Sequence, residues 1–427
     1  MSTQAFESDV RRVTWTPPER PEWVRRVNAE GTHLDLRAVV PLDENSLLAA
    51  AKANTGLEDF GADDWAEPFQ VLARSLDEES ELNLMGRLMV RADMLMFLEG
   101  RLQIEDTYKR HPEIDDQQIE KPLLIIGQGR TGTSILQNML AADPDNQTTT
   151  EWEAMFPCPP PEKETYFTDP RIERAEKITS MRSRVTPEIA SMHEFGARLG
   201  TETIHLDCLA FRSLAWFTSM LGQAPSYAAY MTTQDDRLAI QYEKRILKLL
   251  QWKNPRRTWI LKSPYALTQL PSMLSVYPDM GLVWTHRDPV KAMASVVNLI
   301  GTLQWIHSDK PFLGDSLAAL TNADLGGMMM SQPIDWLESG VIPKDSLCNI
   351  QYDDFVVDPV SVAQQIYDHF AIEMTSEGRT AMQRFMDGHP REARPTHKYD
   401  AGPADLIEHE RRAFQRYQEY FNVPSEV

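Results

Sequence analysis

The chain has 427 residues, 42% of them hydrophobic, enough to bury a large core as one big domain with additions or as two domains. Its 63 acidic residues against 43 basic ones leave a net charge of −20, which repels nucleic acid, heparin-like polymers and anionic membrane over most of the surface, so any anion site must be local. The three widely separated cysteines, Cys158, Cys208 and Cys348, have neither C-x-x-C nor Cys/His spacing, which argues against a disulfide framework or a zinc site.

The first thirty residues contain Pro and Arg but no apolar leader, and no run approaches the roughly 18 apolar residues of a membrane helix. A cytoplasmic protein in a reducing compartment is expected. Residues 42–110 carry helical periodicity in SLLAAAKANTGL, DDWAEPFQVLARSL and ELNLMGRLMVRADMLMFLEGRL. This predicts a helical N-terminal layer over 1–118 and a core over 119–427.

At 121 the pattern changes. PLLIIG is a short apolar run, followed by the glycine-rich GQGRTGTS and the helical SILQNMLAA: a strand, a loop and a helix. The proline-rich FPCPPPEKE breaks regular structure before helices return in RIERAEKITSMRSRV and LAIQYEKRILKLLQW. TWILKSP, MGLVWTHRDP and SLCNIQYDDF read as further strands, with helices at LPSMLSVYP and PVSVAQQIYDHF. Strands alternating with helices predict an α/β fold, a central parallel sheet with helices on both faces. The stretch from Gly301 to Pro343, with Trp305, Met328, Met329, Met330 and Trp336, reads either as helical core or as a pliable apolar wall around a substrate.

GQGRTGTS is one residue from a Walker A loop: Gly127, Gly132 and Ser134 are in frame, but Thr133 stands where the phosphate-gripping lysine belongs. Glycines and the following helix start still cradle an anion. A kinase would need that lysine and a metal-holding aspartate, for which only Asp288, within HRDP, offers itself. Arg130 instead places a permanent cation in the cradle, suited to paired hydrogen bonds with the oxygens of a transferring group.

These residues resemble the sulfotransferases that use 3′-phosphoadenosine 5′-phosphosulfate (PAPS), in particular bacterial small-molecule enzymes and the protein tyrosine sulfotransferases. Arg130-Thr131-Gly132-Thr133-Ser134 fits the family's 5′-phosphosulfate loop at every position, and Arg287 with Ser295 eight residues on fits its 3′-phosphate pair. The resemblance implies a P-loop-like sulfotransferase fold with a helical substrate cap, Lys262 near the bridging oxygen, and Tyr352 reaching the nucleotide. It also implies a segment near His397 and Lys398 closing over the donor, PAPS as co-substrate and no metal.

Sulfuryl transfer to a hydroxyl also needs a base. Glu151 follows Arg130 by twenty-one residues, the spacing of the tyrosine sulfotransferases. Glu153, on the same side if TTTEWEAMFP is extended, and His205 are its rivals. The expected reaction is in-line transfer to a small, apolar alcohol, phenol, steroid or lipid. A kinase with a divergent loop and a non-catalytic nucleotide-binding scaffold stand as alternatives. An exposed apolar helical face is compatible with a homodimer.

Overall fold

The computed structural model describes residues 10–313, 318–390 and 402–427. The N-terminal layer is helical where periodicity predicts it: Glu44–Thr55, Ala66–Glu78 and the long Leu84–Arg110. Capping explains the boundaries. Asp43 accepts from Ser46 N and Asn83 from Gly86 N, each satisfying an otherwise unpaired helix-start amide. His111 and Pro112 then end the long helix.

Five parallel strands form the core: β1 (Leu123–Ile126), β2 (Asn146–Gln147), β3 (Thr258–Lys262), β4 (Gly281–His286) and β5 (Leu347–Gln351), in the order β2-β3-β1-β4-β5. β1, β3 and β4 are buried along their whole length, which is why they read as continuous apolar runs rather than as alternation. The two-residue side-chain period nevertheless sorts them. Leu124, Ile126, Leu261, Leu282 and Trp284 enter a hydrophobic cluster that runs from Val24 to Val423 and includes the N-terminal helices. Leu123, Ile125, Ile260, Val283 and Ile350 face the opposite way, onto the helices Thr133–Ala141 and Pro359–His369. Burying each such Leu or Ile contributes about 1.5–3 kcal/mol.

The long helix meets the core helix Pro289–His307 at Gly86, where a Cβ would fall 2.0 Å from the His307 carbonyl oxygen. Only glycine permits that approach.

Two expectations change, and one reading left open is narrowed. TTTEWEAMFP is not extended, because Glu151–Met155 is a helix whose start at Thr150 is held by Glu153, three residues on. The strand read into SLCNIQYDDF stops at Gln351, and Tyr352–Val357 is helical. The Gly301–Pro343 stretch is largely helical packing: Met330 is in the core, Met328 is exposed, and Trp305 packs against Trp15 and under the Arg20 guanidinium.

Candidate active site

Because β3, β1, β4 and β5 are neighbours in that order, their carboxyl ends bring Lys262, the glycine loop, Arg287 and Tyr352 into one row. Parallel α/β sheets place ligands on this edge.

The loop is built for close approach. At Gly132, φ is +89°, a conformation that favours glycine. A Cβ at Gly127, whose φ is +142°, would fall 2.6 Å from the Thr285 carbonyl oxygen. Arg130 itself is held at φ +76°, a strained setting for a side-chain-bearing residue that costs about 1–3 kcal/mol. Thr131 is turned inward: its hydroxyl donates to Gln128 O and shares a 2.7 Å hydrogen bond with Thr285 Oγ1, bracing the loop on β4. Thr133 is buried at the start of the helix Thr133–Ala141, while Ser134 remains partly accessible.

Three cations converge here. Arg130 donates from Nε to Ser295 Oγ (3.0 Å) and from Nη1 to Met192 O (2.5 Å). Arg287 donates from Nη1 to the Arg130 carbonyl oxygen at 3.0 Å and lies 4.0 Å over the Tyr352 ring. The Tyr352 ring in turn reaches Gly132, within 3.4 Å of where a Cβ there would stand. Lys262 Nζ is 3.3 Å from Ser134 Oγ and 2.9 Å from Glu202 Oε1. The loop residues Arg130 to Ser134, Lys262, Arg287, Ser295 and Tyr352 are therefore one contiguous patch. It suits a multiply charged anion: small loop residues admit it, and cations flank it on both sides.

Behind this rim lies a buried floor. Glu151 Oε2 is 2.9 Å from His205 Nδ1. The His205 ring is fully buried, stacked on Trp216 with centroids 4.0 Å apart and edge-on to Phe97. Oε2 is enclosed, so the 7% of the Glu151 side chain that stays accessible lies away from that atom. Burial pushes the Glu151 carboxyl up, but His205, Arg182 and His193 together pull it down to about 2. Asp93, from the long helix, is pushed up by burial against the pull of Arg182 and His205. His193 is pushed down to about 3, first by burial and then by Lys262 and Arg130. Since His193 also feels Glu151, it links floor to rim. Asp93 and His193 both keep some accessible surface, so the floor borders open space.

Glu153 has a different task. Its Oε2 accepts from Thr150 N at 2.9 Å, Thr150 Oγ1 at 2.7 Å and Tyr166 Oη at 3.1 Å, which fixes the turn that presents Glu151. On a helix, two residues apart is not one face. Asp288 is engaged as well: Arg411 grips both its oxygens at 2.7 and 3.0 Å, and it caps Val290 N. His397 and Lys398 lie outside the described residues. Sequence reasoning missed Glu202, Asp93, Arg182 and His193, whose roles arise from partners distant in the chain. Asp93 and Arg182 lie inside segments read only as helices, and Glu202 lies three residues before His205.

Residues 122–376 match the profile of the Sulfotransferase family, and the chain belongs to that family. Among solved structures it is similar to sulfotransferase STF9 from Mycobacterium avium, with a TM-score of 0.75 and 26% identity over 90% of this chain and 98% of that one. Sulfotransferase STF1 from Mycobacterium tuberculosis H37Rv gives a TM-score of 0.72 and 27% identity over 87% and 98%. The curated omega-hydroxy-beta-dihydromenaquinone-9 sulfotransferases Stf3 of Mycobacterium bovis and Mycobacterium tuberculosis are each 21% identical over 263 residues, 59% of this chain. That match spans 63% of their length. No helix among the described residues is long and apolar enough to cross a membrane.

Proposed function

We propose that the protein transfers the sulfuryl group of PAPS to a hydroxyl of an apolar acceptor. The observation that carries this reading is the convergence of Arg130, Lys262 and Arg287 on one glycine loop, with Nζ of Lys262 3.3 Å from Ser134 Oγ on one side and Nη1 of Arg287 3.0 Å from Arg130 O on the other. Two anionic groups on one nucleotide, a 5′-phosphosulfate and a 3′-phosphate, match cations spread over neighbouring strand ends.

In the reaction the acceptor oxygen bonds to sulfur as the sulfur–oxygen bond to the phosphate breaks, and the acceptor proton passes to Glu151. His205 orients that carboxylate from behind. Lys262 and Arg130 stabilise charge gathering on the leaving phosphate. The donor's negative charge would also offset the cations that act on the floor, which favours proton uptake there. A second reading gives the base role to Glu202, because it is partly accessible and already touches Lys262.

The aromatic rings at the floor, Phe97 and Trp216 on His205 and Phe195 on His193, favour an apolar alcohol. The omega-hydroxy-beta-dihydromenaquinone-9 after which the Stf3 relatives are named points the same way. PAPS chemistry on this patch needs no lysine in the loop and no metal-holding Asp288.

The test is calorimetric titration with 3′,5′-bisphosphoadenosine and, separately, magnesium-ATP, on wild type and Arg287→Ala. The expected result is preferential binding of the bisphosphate, weakened on the order of tenfold or more in the variant, as for loss of a charge-assisted pair. Binding of magnesium-ATP alone would return the loop to the kinases.

A further inference from the structure

The cation that would hold the donor's 3′-phosphate already has an anion on it. After the helix Gln415–Phe421 ends at Asn422, residues 423–427 cross the end of β4. Glu426 there accepts from Arg287 Nε at 2.7 Å and Nη2 at 3.1 Å, and its Oε2 lies 2.8 Å from Lys291 Nζ. Its carboxylate thus binds Arg287 as one face of a phosphate would, through a paired contact, with Lys291 supplying a second cation.

The backbone around Glu426 is fastened separately. The amides of Glu426 and Val427 donate to Asp288 Oδ2 at 2.6 and 3.3 Å, and Arg411 Nη2 donates to the Val427 carbonyl oxygen at 2.9 Å. Phe421 and Val423 are buried. The side chain can therefore swing off its cations while the segment stays anchored. At 20% accessible it borders solvent rather than being sealed in. Burial pushes its carboxyl up, but Arg287 and Lys291 more than offset this and hold it below the usual range, so the anion persists at neutral pH.

We infer that Glu426 is the resident anion of the 3′-phosphate subsite, a specificity-determining residue that a nucleotide displaces only by bringing a 3′-phosphate of its own. The inference rests on the proposed PAPS reading, which puts the 3′-phosphate on Arg287. Displacement exchanges one ion pair for a stronger one with a dianion. A nucleotide without the 3′-phosphate leaves the Glu426 pair in place and gains nothing from Arg287.

The test is titration of wild type, Glu426→Gln and Glu419→Gln with 3′,5′-bisphosphoadenosine and with adenosine 5′-monophosphate. Glu419→Gln removes the same charge from the neighbouring helix, where Glu419 bonds only Gln415 among the described residues. Glu426→Gln should bind the bisphosphate on the order of tenfold more tightly, the scale of one charge-assisted pair, with affinity for the monophosphate unchanged and Glu419→Gln like wild type. Equal bisphosphate affinity in wild type and Glu426→Gln, or an equal gain for the monophosphate or in Glu419→Gln, would overturn the inference while leaving the PAPS reading intact. If neither wild type nor Glu426→Gln bound the bisphosphate, both readings would fall.

Discussion

The rim and the floor of the site solve opposite electrostatic problems. At the rim, Lys262 pairs with Glu202 and Arg287 with Glu426, and both carboxylates keep a fifth or more of their side-chain surface accessible. Pairs with this exposure suit the proposed exchange, in which an incoming anion would replace the carboxylate and water would receive the displaced charge. At the floor Glu151 and His205 are nearly sealed, with 7% and 1% of their side chains accessible. A charge there must be set by fixed neighbours, because water cannot reorganise around it. On the proposed reading, binding of a charged donor at the rim and placement of one base at the floor coexist because the exposure of the two regions differs.

The largest expected effect breaks the floor. Glu151→Gln keeps the shape and removes the proposed proton acceptor, so turnover should fall by about 10² to 10⁴, the range for general-base loss, with bisphosphate affinity unchanged. Glu202→Gln supplies the contrast, since a residue that only holds Lys262 in place should cost about tenfold when its charge-assisted contact is lost. Steady-state kinetics on both variants decides between them, and a larger loss in Glu202→Gln would move the base to the rim.

Breaking the rim comes next. Arg130→Ala should lower turnover by about 10² to 10³, the scale for removing one oriented donor to developing charge. It should weaken bisphosphate binding too, since Arg130 also joins the loop to Ser295 and Met192. Near-normal turnover with PAPS would remove Arg130 from the mechanism.

The difference between the two regions also explains what was legible in the sequence. The rim follows local rules. A strand, glycines, an arginine and a helix start are consecutive, Lys262 ends a recognisable strand, and Arg287 and Tyr352 each follow one. Parallel pairing does the rest, bringing the strand ends together without further instruction. The floor does not follow local rules: Asp93, Glu151, Arg182, His193 and His205 come from five separate segments, and nothing in any one of them names the others. Glu426 escaped for the same reason, 139 residues from Arg287. One floor error was avoidable. Thr150-Glu151-Trp152-Glu153 carries the T-x-x-E pattern of a capping box, which marks a helix start and separates Glu151 from Glu153.

That pair yields the smallest effect, one that sharpens the contrast without touching turnover. Burial pushes the Glu153 carboxyl up to about 7, against hydrogen bonds from Thr150 and Tyr166 that favour its ionised form. A folded-state value raised above the unfolded one means the native protein keeps a proton that the unfolded chain has already released. The stability this contributes is full below the ordinary carboxylate range near 4.5 and is lost as pH rises through about 7. Between pH 5 and pH 8 the wild type should therefore lose up to about 3 kcal/mol from this group. Glu153→Gln cannot titrate, so its urea-unfolding free energy should fall by less over the same interval, while every other titrating group contributes alike to both proteins. An unchanged difference would mean that Glu153 is ionised throughout and that the three donors on its Oε2, rather than burial, decide its charge.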